Sequence, residues 1–187
     1  MRWPTFIIVG SIFLGFDEGL TSLMAIHALG GVAPRAVVVL ALFISLFGTK
    51  QAALWGCWIL GFASDMGPRG ELITTGLFIP GPASIGLPIF SILIMQVRGS
   101  IFRQRPVTFI SMTFLGSLII SLMSLIIISA RWLAPWIEVG DASNVLLRMG
   151  QELAIAFYSA LIAVPIGLCM LKLITVWGFP HSGVASR

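Results

Sequence analysis

From Val107 to Ser129 the chain runs for 23 residues without a single charge, and from Leu153 to Leu171 it does so for 19 more. A helix rises about 1.5 Å per residue, so each run is long enough to cross the roughly 30 Å of a bilayer's hydrocarbon core. A soluble domain cannot easily place two such segments. The rest of the chain points the same way. Of 187 residues, 58% are hydrophobic and 10% charged, against about a quarter charged in ordinary soluble domains. Mean hydropathy is +1.04. These values exclude a soluble globule, a disordered tail and a disulfide-stapled secreted module. They leave an all-α integral membrane protein, read as one multi-pass domain over residues 1–187.

A third uncharged run, Leu72 to Gln96, is 25 residues long but contains Pro80, Pro82 and Pro88. Proline removes a backbone donor, so this segment is expected to be kinked or to begin as an irregular re-entrant stretch. The first third of the chain holds three shorter runs of 14 residues each: Trp3 to Phe16, Ala36 to Thr49 and Gln51 to Ser64. Fourteen residues reach only about 21 Å, so these spans are short unless the membrane thins or their flanking charges snorkel. A signal peptide is the weaker reading of the first run, because acids follow it without a convincing small-residue cleavage pattern.

Charge placement sets the topology. With six spans and both termini cytoplasmic, the inner segments carry Arg2, Lys50, Arg98, Arg103, Arg105, Lys172 and Arg187, and the outer ones Arg35, Arg69, Arg131 and Arg148. A split of seven to four obeys the positive-inside rule. Five spans would strand Lys50 in mid-helix. All seven acids, Asp17, Glu18, Asp65, Glu71, Glu138, Asp141 and Glu152, then lie outside. The stretch Arg131 to Glu152 is the longest outer loop, with one or two helical turns expected from Asn144 to Leu153. Trp3, Trp132, Trp136 and Trp177 fall at span ends, where indoles favour the interface. Trp55 and Trp58 are expected against lipid or a neighbouring helix.

The net charge of +4 is scattered and has no long basic run, so nucleic acid is not an expected partner. Cys57 and Cys169 lie far apart in apolar runs and read as inert buried thiols. His27 and His181 fall on opposite sides of the membrane. No His-Glu-x-x-His motif, glycine-rich phosphate loop or nucleophile–base pair is present. The chain is thus expected to be no enzyme and to use no metal or cofactor. Asp17 and Glu18 read first as a helix end at the outer interface, second as an ion or substrate contact; Asp65 reads as a helix end. Small residues recur at helix-packing spacing in Ser11 and Gly15, in Ala52 and Gly56, and in Ser117, Ser121 and Ser124, where they serve packing within the chain or against a partner helix.

The segment Gly31-Val32-Ala33-Pro34-Arg35, the apolar helix after it, and Trp55 to Asp65 together resemble the rod shape-determining MreD family. There a loop proline precedes the second span, and the third ends in Gly-Phe and a following Asp, of which Gly61-Phe62-Ala63-Ser64-Asp65 is a contracted form. Arg98-Gly99-Ser100-Ile101-Phe102-Arg103-Gln104-Arg105-Pro106 is similar to the family's basic loop. Arg35 stands where the family more often has an acid. The resemblance covers residues 1–130. It implies a non-catalytic protein of the bacterial inner membrane, partnering an MreC-like protein, RodA, a class B transpeptidase and the MreB filament in cell elongation. Pro34, Gly61, Phe62, Asp65, Arg98, Arg103 and Arg105 become its candidate partner contacts. The rival expectation is the substrate-binding component of an energy-coupling-factor vitamin transporter. That family is also a six-helix bundle of this size, in which Ser11 and Gly15 would meet the coupling subunit and Asp17 with Glu18 would line an outward pocket.

Overall fold

The computed structural model describes residues 2–24, 32–67, 81–99, 106–132, 145–172 and 177. These form six α-helices and, among the described residues, no β-strand: α1 (Trp3–Met24), α2 (Ala36–Phe47), α3 (Lys50–Met66), α4 (Pro82–Val97), α5 (Pro106–Trp132) and α6 (Val145–Lys172).

Helix α2 organises the rest. Its sequence, AVVVLALFISLF, has no polar face, and a helix that is hydrophobic all round must be buried all round. Every residue from Ala36 to Leu46 is buried. The other five helices each pack against α2, and they also pack in the order α1, α3, α4, α5, α6 around it. The only polar side chain on α2, Ser45, is satisfied internally: its Oγ lies 2.7 Å from the Ala41 carbonyl and 2.9 Å from Ser91 Oγ on α4.

The break after α2 settles the status of Lys50. The helix stops at Phe47, Gly48 donates back to the Ile44 carbonyl at 2.7 Å, and Thr49 caps α3 by accepting from the Ala52 N–H. Lys50 therefore begins a helix on the far side of a two-residue turn, as the hairpin expectation requires. Arg98, at the end of α4, donates through Nη1 to the Gly48 carbonyl at 3.1 Å. The C-terminal end of α4 thus meets the α2–α3 turn, and α2, α3 and α4 run alternately up and down.

Close approach of α3 and α4 depends on Gly61. A Cβ there would overlap the Ala83 backbone carbonyl. Helix α4 starts at Pro82, in the first turn where the missing N–H costs nothing, and carries Pro88 within it. Residues 72–80, the expected irregular stretch, lie outside the described residues.

Four expectations are corrected. Helix α1 does not end near Phe16 but continues through Asp17 and Glu18 to Met24, because the Asp17 carboxylate has a protein partner and need not reach water. Helix α6 runs unbroken from Val145 rather than as surface turns before a span from Leu153, since Glu152 is likewise paired. Trp177 is not interfacial: it is 1% exposed, with its ring 5.6 Å from that of Phe43, and its carbonyl accepts from the Arg2 N–H just before α1. Cys57 is buried but Cys169 is exposed.

The outside of the bundle is apolar. Ile7, Ile8 and Ile12 on α1, Trp55 and Trp58 on α3, and Phe157 and Leu161 on α6 all point outward, Leu161 being 73% exposed. Among the described residues two helices, Val107–Ile127 within α5 and Met149–Lys172 within α6, are by length and composition able to cross a membrane.

Gly61→Ala should force α3 from α4 and cost about 1–3 kcal/mol, as overpacking of a tight contact does. Gly15→Ala, whose Cβ would meet nothing within 4 Å, should be neutral. Thermal unfolding of the detergent-solubilised variants measures both.

Candidate functional site

Polar side chains gather at the end of the bundle that holds the N-termini of α2 and α4. A buried helix start exposes backbone N–H groups that have no partner within the helix, and neither α2 nor α4 receives a side-chain cap from its own N-cap residue, Arg35 or Gly81. Other helices supply the acceptors. Asp17 of α1 accepts the Ala36 N–H at 2.5 Å through Oδ1, and Ser159 of α6 accepts the Arg35 N–H at 2.9 Å. Asp65 of α3 takes the Ala83 N–H on Oδ1 at 3.2 Å and the Ser84 N–H on Oδ2 at 2.7 Å. A negative carboxylate at each helix start is also favoured by the helix dipole.

Between these caps runs an ion pair. Arg35 Nη2 lies 3.1 Å from Glu152 Oε2 and 3.3 Å from Oε1, and Ser121 of α5 donates to Oε2 at 2.6 Å. The pair is about three-quarters buried on both sides. Through Arg35 and Glu152 the entry to α2 is bound to α5 and α6.

The same residues enclose a cavity of about 400 Å³ to which all six helices contribute. Its walls are Val37, Val38, Leu87, Ile120 and Ile155; its polar groups are Asp17, Arg35, Ser64, Asp65, Ser124 and Glu152. A smaller hollow of about 290 Å³ between α1 and α3 shares Asp17 and Ser64 with it and adds Glu18. Among the described residues no group of three or more His, Cys, Asp or Glu is placed to hold a metal ion.

Of the residues singled out from sequence, Pro34, Gly61 and Asp65 meet at this end and are buried within the chain. Phe62 is half-buried and stacks on Trp58 with ring centres 5.8 Å apart. Arg98 sits at the opposite end on the Gly48 carbonyl. Arg103 and Arg105, like His27 and His181, lie outside the described residues. Asp65 is a helix end, as expected, but it is the start of another helix that its carboxylate serves. Sequence reasoning missed Ser159, and it read Glu152 as an outer acid and Ser121 as a packing residue rather than as partners of Arg35 and of each other. The one available signal was a lone acid, Glu152, interrupting an otherwise periodic apolar helix.

Comparison with protein-family models, with characterised proteins and with solved structures yields no match for this chain.

Asp65→Ala should leave two buried N–H groups of α4 unpaired and destabilise the protein by about 2–4 kcal/mol, summing a lost cap and a desolvation penalty. Asp65→Asn retains one acceptor oxygen and should lose about half as much. Thermal unfolding in detergent checks the order; equal stability of all three proteins would remove Asp65 from the capping role.

Proposed function

We propose that the chain is a six-span protein of the bacterial inner membrane, with both termini cytoplasmic, and that it acts as a non-catalytic scaffold of the cell-elongation machinery. The observation that carries the scaffold reading is the use to which its charges are put. Asp17, Asp65, Arg35 and Glu152 each fasten one helix to another. Such bonds favour a rigid body with a fixed outer shape, as a protein that positions others requires.

The six-span reading is supported by the alternating course of α2, α3 and α4 and by the apolar exterior, which suits lipid. Helix α2 is only about 18 Å long, but five neighbours cover it, so its short length need not match the bilayer. The particular machinery rests on the resemblance of the Pro34 and Gly61–Asp65 segments and the basic loop to the MreD family. In that reading Pro34, Gly61 and Asp65 act from inside, by fixing how α2, α3 and α4 meet. Phe62 and the basic stretch Arg98, Arg103 and Arg105 are the partner contacts, the arginines facing an MreB filament. An MreC-like protein, RodA and a transpeptidase are the membrane partners.

The test joins biochemistry to cell shape. Affinity purification in mild detergent should recover an MreC-like protein, and deletion of the gene should turn rod-shaped cells round. Rods that persist after deletion, with no such protein recovered, would refute the assignment.

A further inference from the structure

The scaffold reading gives a role to Arg98 but none to three other cations that share its end of the bundle. Arg2 is placed there by its N–H, which donates to the Trp177 carbonyl at 3.2 Å, and Trp177 lies on Phe43 near the close of α2. Lys50 opens α3 just past the Gly48 turn on which Arg98 rests, and Lys172 closes α6 shortly before Trp177. Arg2, Lys50 and Lys172 are exposed, and among the described residues none of the four cations is paired with a carboxylate. Asp17 and Asp65 stand about 20 Å further along α1 and α3. The stretches that follow α4 and α6 in sequence, 99–105 and 173–187, contain no Asp or Glu.

We infer that this end of the bundle is a binding surface for anionic phospholipid headgroups. The inference rests on the membrane-spanning reading and is independent of the cell-elongation assignment. Two observations favour a lipid phosphate over an acidic protein as the partner. The cations come from four different helices around the end of the central α2, rather than from one helix face. The apolar exterior also begins directly beside them, with Trp3 and Ile7 exposed after Arg2, and Trp55 and Trp58 exposed after Lys50. Indoles favour the boundary between headgroups and hydrocarbon, so Trp3 and Trp55 set the adjoining cations at the level of the phosphates. Lys50 has the strongest need of an external anion. It stands in the first turn of α3, where the helix dipole is positive and no acid accompanies it. A basic residue at an anionic bilayer surface strengthens association about fivefold.

The experiment equilibrates the full chain in detergent micelles with equal amounts of phosphatidylglycerol and phosphatidylcholine, re-purifies it, and counts the retained lipids by mass spectrometry. Phosphatidylglycerol is expected in about fivefold excess at low salt. The excess should shrink at about 1 M salt, where the screening length falls to about 3 Å. Arg2→Gln, Lys50→Gln and Lys172→Gln combined should bring the two lipids to parity. Arg148→Gln, which removes a charge near the other end of α6, should change nothing. Thermal unfolding establishes that each variant is folded; if the combined variant is not, Lys50→Gln alone should about halve the excess. Equal retention of the two lipids would overturn the proposal and leave the cations to an acidic protein. An excess that survives these substitutions, or that Arg148→Gln lowers as much, would overturn it too. A chain that takes up neither lipid and stays in solution without detergent would refute the membrane-spanning reading, and the proposal with it.

Discussion

Everything in this bundle follows from a helix with no face to show to solvent or lipid. Helix α2 is apolar on every side, so it can only sit at the centre, and its burial orders the other five helices around it. Burial of the side chains is favourable, but burial of the helix ends is not. In a low-dielectric surrounding each unpaired backbone group is costly, and α2 begins and ends on buried residues, Ala36 and Gly48. The ends must be satisfied by the neighbours. Asp17, Ser159 and, at the other end, Arg98 are those neighbours, drawn from α1, α6 and the end of α4.

That requirement explains why polar residues of a mostly apolar chain occur where they do. Asp65 repeats for α4 what Asp17 does for α2, and a Cβ on Gly81 would fall 2.5 Å from the Asp65 carboxyl carbon, so glycine is what the cap leaves room for. The Arg35–Glu152 pair fastens α2 to α6 and, through Ser121, to α5. Ion pairs of this kind add little net stability over apolar contacts of equal volume. Their value lies in direction: apolar surfaces slide past one another, whereas a carboxylate on two N–H groups permits one arrangement.

What the sequence made legible was whatever depends on local pattern. Long uncharged runs located α5 and α6, and the distribution of basic residues placed a turn at Lys50, where Gly48 and Thr49 make it. Charge was misread wherever a distant partner decided its meaning. Asp17 and Glu152 were taken as helix boundaries because a charge in an apolar run normally seeks water. Here they are helix interior, since the partners that satisfy them stand 19 and 117 residues away. Trp177 was misjudged for the same reason: an indole at a span end belongs at the interface unless a ring such as Phe43 and a donor such as the Arg2 N–H are waiting for it.

The candidate site was half legible on the same terms. Gly61 and Asp65 could be singled out by motif, but their joint use, one letting α4 approach and the other capping it, is a statement about a contact between helices. Caps borrowed from neighbours also account for the cavity. Helices whose starts converge on acids cannot close completely at that end, because the carboxylates and the Arg35 guanidinium need room and polar partners that aliphatic side chains cannot provide. The space among them is thus a consequence of how α2 was buried, and its polar lining is a consequence of which residues serve the helix starts. Serine or asparagine at the N-cap positions of α2 and α4 would satisfy those N–H groups but would hold no second helix. Acids from other helices satisfy the same groups and also tie α2 to α1 and α4 to α3.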